Sequence, residues 1–308
     1  MVIRQEENKL LLFEHRASVV LYKYLLSLAQ KPGTFILPVN ICPIVYSVFK
    51  AAGVNVLFID IDENDLCLDR AKVIAALTEH HISGMLFNYS YGTTVGFSDF
   101  FNEIRQRVAD DFIIIEDKCL GRPELDIPAG TVADLVLYST GYSKYVDLKT
   151  GGYAFLNNVR TWRPEQYEAI KGEIILDDGE TLDLGEPSLS FDNYRQQVEL
   201  TKEKARAHKS AINQVYYSRL NDSVTILPDE YNQWRFNILA DNKEAILAQL
   251  FSQGLFASSH YKPLALPASL YPNAGKLHSR IINLFNDFNY SVERAEKTAA
   301  IINECSSF

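Results

Sequence analysis

The chain has 308 residues, 47% of them hydrophobic and 22% charged, with a formal net charge of −9. Such a composition belongs to folded globular proteins and excludes a disordered chain, and at roughly 150 residues per domain the length suggests two domains. The acidic balance argues against nucleic acid or an anionic membrane surface as a partner, because both are polyanions.

At the N-terminus, MVIRQEENKL carries acidic residues where a secretion signal needs positive charge followed by an apolar stretch. No apolar run is long enough to span a bilayer. Short apolar runs then recur at 34–37, 54–59, 84–87, 112–115, 135–138 and 153–156, each ending in polar or glycine-containing turns. Helical spacing lies between some of them. Ile41, Ile44, Val45, Val48, Phe49 and Ala52 follow an i, i+3, i+4, i+7 pattern that Gly53 stops, and 71–79 and 100–108 look similar. Strands alternating with helices predict an α/β fold, a mostly parallel sheet with helices on both faces. Ligands of such sheets gather at the carboxyl ends of the strands.

After Asn158 the pattern changes. Residues 173–186 are acidic and read as an excursion or a short hairpin, and a long helix is expected from about Asn193 to Leu220. From Trp234 onward the pattern suggests a strand, a helix, a strand and a final helix, a smaller α+β lobe. The expected division is a large domain over 1–192, with the long helix and small domain over 193–308. Cys42, Cys67, Cys119 and Cys305 form neither a CxxC pair nor a zinc spacing. A reduced, cytoplasmic protein without a metal site is the expectation.

The sequence has no GxGxxG, GxxxxGK[ST], HExxH or GxSxG motif. What the strand ends offer instead is an acid, a hydroxyl and a lysine. The run at 112–115 ends in Glu116-Asp117, the run at 135–138 ends in Ser139, Lys144 follows five residues later, and Gly151-Gly152 opens the next strand. These groups suit pyridoxal phosphate (PLP). A lysine amine bonds the aldehyde carbon, a carboxylate keeps the pyridine nitrogen protonated, and hydroxyls with helix N-terminal amides take the phosphate. The attacking amine must be neutral, which a desolvated or cation-rich pocket favours. Each residue type also has an ordinary structural use: aspartate and serine after a strand form turns or helix caps, and a loop lysine is usually solvated. Lys118 and Lys149 compete with Lys144 for the lysine role.

In ordered motifs the chain resembles the DegT/DnrJ/StrS family of PLP-dependent sugar aminotransferases, which have the aspartate aminotransferase fold (fold type I). LPVNICPIVYSVFKAAGVNVLFIDID resembles the family's proline, aromatic, helix, glycine and strand ending in D-x-D. NYSYG at 88–92 resembles its H-x-YG turn, IIIEDKC at 113–119 its I-E-D-x-A segment, and ADLVLYSTGYSK at 133–144 its G-D-x-x-x-F-S-F-x-x-x-K segment. GLFASSHYKPL at 254–264 and RIINLFND at 280–287 resemble motifs of the small lobe. The resemblance implies that Asp117 faces the pyridine nitrogen, that Ser139 contacts the phosphate and that Lys144 bonds the cofactor. FEHRAS at 13–18 stands where the family has its phosphate-binding turn, which assigns Arg16, Ala17 and Ser18 to the phosphate. Asn40 and Cys42 fall where the family has an aromatic that stacks on the ring, and Leu120 replaces a residue that contacts the ring hydroxyl. Relative to the family the chain looks short at its N-terminus.

Tyr89, Tyr91, His260 and Tyr261 are candidates for substrate or cofactor contact, or for packing. Asn193 and Arg195 stand near a family asparagine that reaches into the partner subunit's site. Lys202, Arg206 and Lys209 form a stripe at i, i+4, i+7 that reads as a solvated helix face, with a sugar-nucleotide diphosphate as the other reading. The resemblance implies a homodimeric aminotransferase moving an amino group from an amino acid to a keto sugar, nucleotide-linked, in cell-surface polysaccharide or secondary-metabolite biosynthesis. Two alternatives stay open. One is a PLP enzyme of another reaction type (dehydratase, lyase or condensing enzyme) on a non-sugar substrate. The other is a non-catalytic relative.

Overall fold

The computed structural model of the protein describes residues 1–4, 10–126, 130–158 and 162–305. In chain order the first elements are β1 (Val2–Arg4), β2 (Leu10–Glu14), α1 (Ala17–Leu26), β3 (Thr34–Pro38), α2 (Pro43–Ala51), β4 (Asn55–Ile59), α3 (Arg70–Glu79), β5 (Ile82–Asn88), α4 (Ser98–Arg107), β6 (Ile113–Asp117), β7 (Leu135–Ser139) and β8 (Gly152–Leu156). They form an eight-stranded sheet in the order β1-β2-β8-β7-β6-β5-β3-β4. The pairs from β4 to β7 are parallel, and β8, β2 and β1 join as antiparallel partners. The apolar runs at 34–37 through 153–156 are therefore strands β3 to β8. They read as nearly continuous apolar stretches because both faces of the sheet are covered.

The two-residue period of the strands divides the core. On one face Phe35, Leu37, Ile113, Ile115, Leu135, Leu137, Ala154 and Leu156 pack against α1 and α2. On the other Ile36, Ile114, Val136, Tyr138, Tyr153 and Phe155 pack against α3 and α4.

The second half begins with α5 (Pro164–Ala169) and an antiparallel hairpin, β9 (Glu173–Ile175) and β10 (Thr181–Asp183), where the acidic excursion was expected. Then come α6 (Phe191–Arg219), β11 (Thr225–Ile226), β12 (Phe236–Leu239), α7 (Lys243–Ser252), β13 (Ala257–Ser258), α8 (Pro272–Arg280), β14 (Ile281–Leu284) and α9 (Val292–Cys305). A second, four-stranded antiparallel sheet runs β11-β12-β14-β13 and packs against α7, α9 and the C-terminal half of α6. The small lobe holds more pieces than the expected strand-helix-strand-helix, because β11 and β13 are two-residue strands too short to leave a sequence pattern. Val39, Ile61, Tyr91, Leu120, Leu227, Trp234 and Leu277 form a further apolar cluster joining the two sheets.

Gly152 sets the approach of α1 to the large sheet. A Cβ there would lie 1.9 Å from the backbone nitrogen of Ala17 and 2.3 Å from its Cα. Only glycine lets the start of α1 lie against β8. Gly152→Ala is expected to cost about 1–3 kcal/mol of stability, the usual penalty for overpacking a close contact, because backbone rather than a flexible side chain must move. A lower urea midpoint at an unchanged slope would show it.

Candidate active site

A cavity of about 720 Å³ opens at the carboxyl ends of β5, β6 and β7, between the N-termini of α1 and α2 and the start of β12. Its wall includes Arg16, Ala17, Ser18, Cys42, Tyr89, Asp117, Leu120, Ser139, Lys144, His260 and Tyr261. The acid, hydroxyl and lysine that the sequence placed at neighbouring strand ends thus meet around one space. Asn40 is buried without lining it, and Tyr91 is buried with its hydroxyl donating to the His260 carbonyl at 2.8 Å. Asn193 is exposed on the first turn of α6 and lies outside the cavity.

Asp117 ends β6 with its side chain 9% exposed. Its Oδ1 accepts the Cys119 amide at 2.9 Å, which fixes the carboxylate, and no basic side chain among the described residues lies within ion-pair distance. The adjacent Glu116 points to the other face of the strand. It accepts from the Tyr89 hydroxyl at 2.6 Å and from Thr131 at 2.7 Å, and pairs with Lys118 at 3.0 Å. Lys118 also lies 4.6 Å from the centre of the Tyr89 ring and lines a separate cavity. Strand alternation has sent one acid of the pair into the site and the other, with its lysine, away from it.

Ser139 ends β7 and its Oγ accepts the Gly141 amide at 3.3 Å. Lys144 sits in the loop that follows. Tyr145 and Val146 anchor the loop by packing against Ala205 of α6, and the Trp234 indole donates to the Ser143 carbonyl at 2.5 Å. Lys149 lines the same cavity but is exposed.

Facing these residues, α1 starts with no side-chain cap and no acid in its first turn. Its first-turn amides therefore present donors and a positive helix end to the cavity, a ready site for phosphate. Asn88 Oδ1, on the same wall, is buried without a partner among the described residues. At the mouth, Arg16 pairs with Glu180 of the β9–β10 hairpin at 2.5 Å, and Ser47 donates to Asp178 at 3.1 Å. The acidic excursion is thus bound to the rim, a role its composition did not signal.

Burial, with the nearby cations of Arg235 and Lys144, pushes the His260 imidazole down to about 4, so it is neutral at physiological pH. Burial also raises the Cys119 thiol well above its usual range, which suits a packing role rather than a nucleophile. The charged stripe on α6 is corrected in one member. Lys209 is only 5% exposed, its amine bonded to the Trp234 carbonyl at 2.7 Å and to Asn286 Oδ1 at 2.8 Å. Arg206 remains solvated. Sequence reasoning missed Arg235 and Trp234, which line the cavity from the small lobe. The signal available was an arginine heading an otherwise apolar strand, in WRFNIL.

A buried carboxylate without a basic partner, an uncapped helix start and an amine on one cavity wall fit a group with a protonated ring nitrogen, a phosphate and an aldehyde. The stretch Ile41, Cys42 and Pro43 lines the cavity without an aromatic ring, as the sequence indicated.

The sequence matches no family model and no curated protein. Solved structures are similar across nearly the whole chain. The PMP form of the putative sugar aminotransferase Spr1654 from Streptococcus pneumoniae is 15% identical, with a TM-score of 0.75 over 97% of this chain and 86% of that one. A DegT DnrJ EryC1 StrS aminotransferase from Brucella abortus is 18% identical, with a TM-score of 0.68 over 97% and 86%. PseC of Helicobacter pylori, an aminotransferase involved in the biosynthesis of pseudoaminic acid, is 16% identical, with a TM-score of 0.71 over 97% and 87%. This chain therefore has the fold of the PLP-dependent sugar aminotransferases, fold type I.

Proposed function

We propose that the protein is a PLP-dependent aminotransferase that moves an amino group from an amino acid to a keto sugar, nucleotide-linked. The observation that carries this reading is the convergence of Asp117, Ser139, Lys144 and the uncapped start of α1 on one cavity. The fold shared with sugar aminotransferases supports it.

When bound, PLP supplies an aldehyde that takes up the amino group and a ring that accepts the electron pair left at the substrate's α carbon. Asp117 holds the ring nitrogen protonated. Ser18, Ser139 and the first-turn amides of α1 hold the phosphate, with Arg16 beside them. Lys144 would hold the cofactor at its aldehyde, and its amine would serve as the acid-base group that carries the proton leaving the substrate's α carbon. Burial of Asp117 strengthens its hold on the ring, since a charge pair gains as water is excluded.

Residues 1–192 would form the cofactor-binding domain, and 193–308 the linking helix and small domain. Asn193 is exposed on α6, and Arg195 beside it is half-buried and paired with Glu199 and Asp126; this face of α6 would be the one offered to a second copy, in line with a homodimer. No helix among the described residues is long and apolar enough to cross a membrane, and a cytoplasmic enzyme is the proposal.

The test is a half-reaction. The purified protein loaded with PLP and given L-glutamate without an acceptor is expected to convert its cofactor to the amine form, read from the absorbance spectrum, and to release 2-oxoglutarate. A loaded protein that releases ammonia or water from other substrates, without that conversion, would support the second reading. The non-aromatic stretch 41–43 and Leu120 on the cavity wall are the observations that favour it.

A further inference from the structure

The cavity wall contributed by the small lobe holds a cation that no carboxylate among the described residues approaches within ion-pair distance. Arg235 precedes β12, is 6% exposed and lines the cavity. Its guanidinium packs on two rings, 4.4 Å from the centre of Trp234 and 3.9 Å from that of Phe285. Its one side-chain hydrogen bond among the described residues runs to the Ser258 hydroxyl.

Other partly buried arginines do have carboxylates: Arg105 pairs with Asp134 at 2.6 Å and Arg280 with Asp241 at 2.6 Å. Among the described residues the other buried cation lacking one, Lys209, has two oxygens on its amine and lies off the cavity wall. A guanidinium carries five N–H donors in one plane. Only one of these donors is used among the described residues, by Ser258, and the in-plane edge that carries the rest is the one that meets a planar carboxylate with two parallel hydrogen bonds. A buried charge left unpaired is costly, and positions of this kind persist where a ligand completes them. His260 stands beside it, 5.8 Å from Trp234 between ring centres, and Lys144 shares the wall. Neither His260, neutral as shown above, nor Lys144 offers a negative charge.

We propose that Arg235 is the carboxylate anchor of the site, clamping a substrate carboxylate through its in-plane edge within the cavity that holds Lys144. The proposal rests on the aminotransferase reading for the identity of the substrate, but not for the presence of the anion site. The carboxylate comes either from the amino-acid donor or from an acidic sugar acceptor.

Calorimetric titration of the PLP-loaded full-length protein separates the sources. Glutarate and its neutral analogue glutaramide probe the donor. UDP-glucuronic acid and UDP-glucose probe the acceptor. Arg235→Gln is expected to weaken glutarate or UDP-glucuronic acid by about 30-fold to a few thousand-fold, the range for truncating a buried hydrogen-bonded charge pair, leaving glutaramide and UDP-glucose unchanged. Loss confined to glutarate assigns the donor's carboxylate, and loss confined to UDP-glucuronic acid assigns the acceptor's. Arg235→Lys, which keeps the charge but not the fork, is expected to recover only part of the loss. Equal loss with UDP-glucose would show a site for phosphate rather than carboxylate and overturn the proposal. So would unchanged binding of both acids in a folded variant, or failure of the wild-type protein to bind either. Arg235→Met, which keeps an apolar stem against the rings, repeats the test should the glutamine variant fold poorly. Failure of the aminotransferase reading itself shows separately, as a wild-type protein that takes up no PLP or leaves it unchanged with L-glutamate.

Discussion

Replacing Lys144 with alanine is expected to lower turnover by at least about 10²–10⁴-fold, the usual contribution of a positioned acid-base group, and to abolish borohydride fixation of PLP to the chain. The structure ranks the competing lysines. Lys118 is held by Glu116 at 3.0 Å and lies on the Tyr89 ring in a different cavity, so its amine is not available to the site. Lys149 does line the site, but it is exposed in a loop whose turn is set by Asp147, which accepts the Lys149 amide at 2.9 Å. Lys144 comes from a better anchored stretch, with the Ser143 carbonyl bonded by Trp234 and the two residues after it packed on α6. A catalytic amine needs that anchoring, since small displacements from a reacting carbon are expensive. Borohydride reduction, digestion and mass analysis are expected to find the modified peptide at Lys144. Lys118→Ala and Lys149→Ala are expected to keep it. A modified peptide at Lys149, with activity surviving in Lys144→Ala, would move the role.

The sheet was legible in the sequence because its central strands are buried on both faces and so are written as short apolar runs between polar turns. The ends of β6 and β7 could be read for the same reason: a polar residue directly after such a run lies at the rim where ligands bind. The pairing of β2 was not legible. It joins residues 10–14 to residues 152–156, and no local pattern encodes a contact across so much chain. Lys209 failed for a related reason. Its spacing with Lys202 and Arg206 is that of a solvated face, but the Trp234 carbonyl and Asn286, both distant in sequence, supply oxygens that let it be buried. Arg235 lay hidden because its neighbours Trp234 and Phe285 meet only after β12 pairs with β14.

Replacing Asp117 with asparagine is expected to reduce the L-glutamate half-reaction by about 10²–10³-fold, the range for removing one preorganised electrostatic stabiliser. The substitution is chosen because it separates the functional from the structural use of the residue. As a turn former, Asp117 needs only an oxygen to accept the Cys119 amide at 2.9 Å, and an asparagine side chain supplies one in the same place. A purely structural Asp117 would therefore tolerate the change in stability and in activity alike. What asparagine lacks is the negative charge, and the charge is the part of Asp117 that no basic side chain among the described residues uses. A urea midpoint close to that of the unmodified protein, together with the rate loss, would place the carboxylate's charge in the chemistry. Equal activity in the variant would leave Asp117 as a turn and remove the support for the electron sink that the proposed transamination needs.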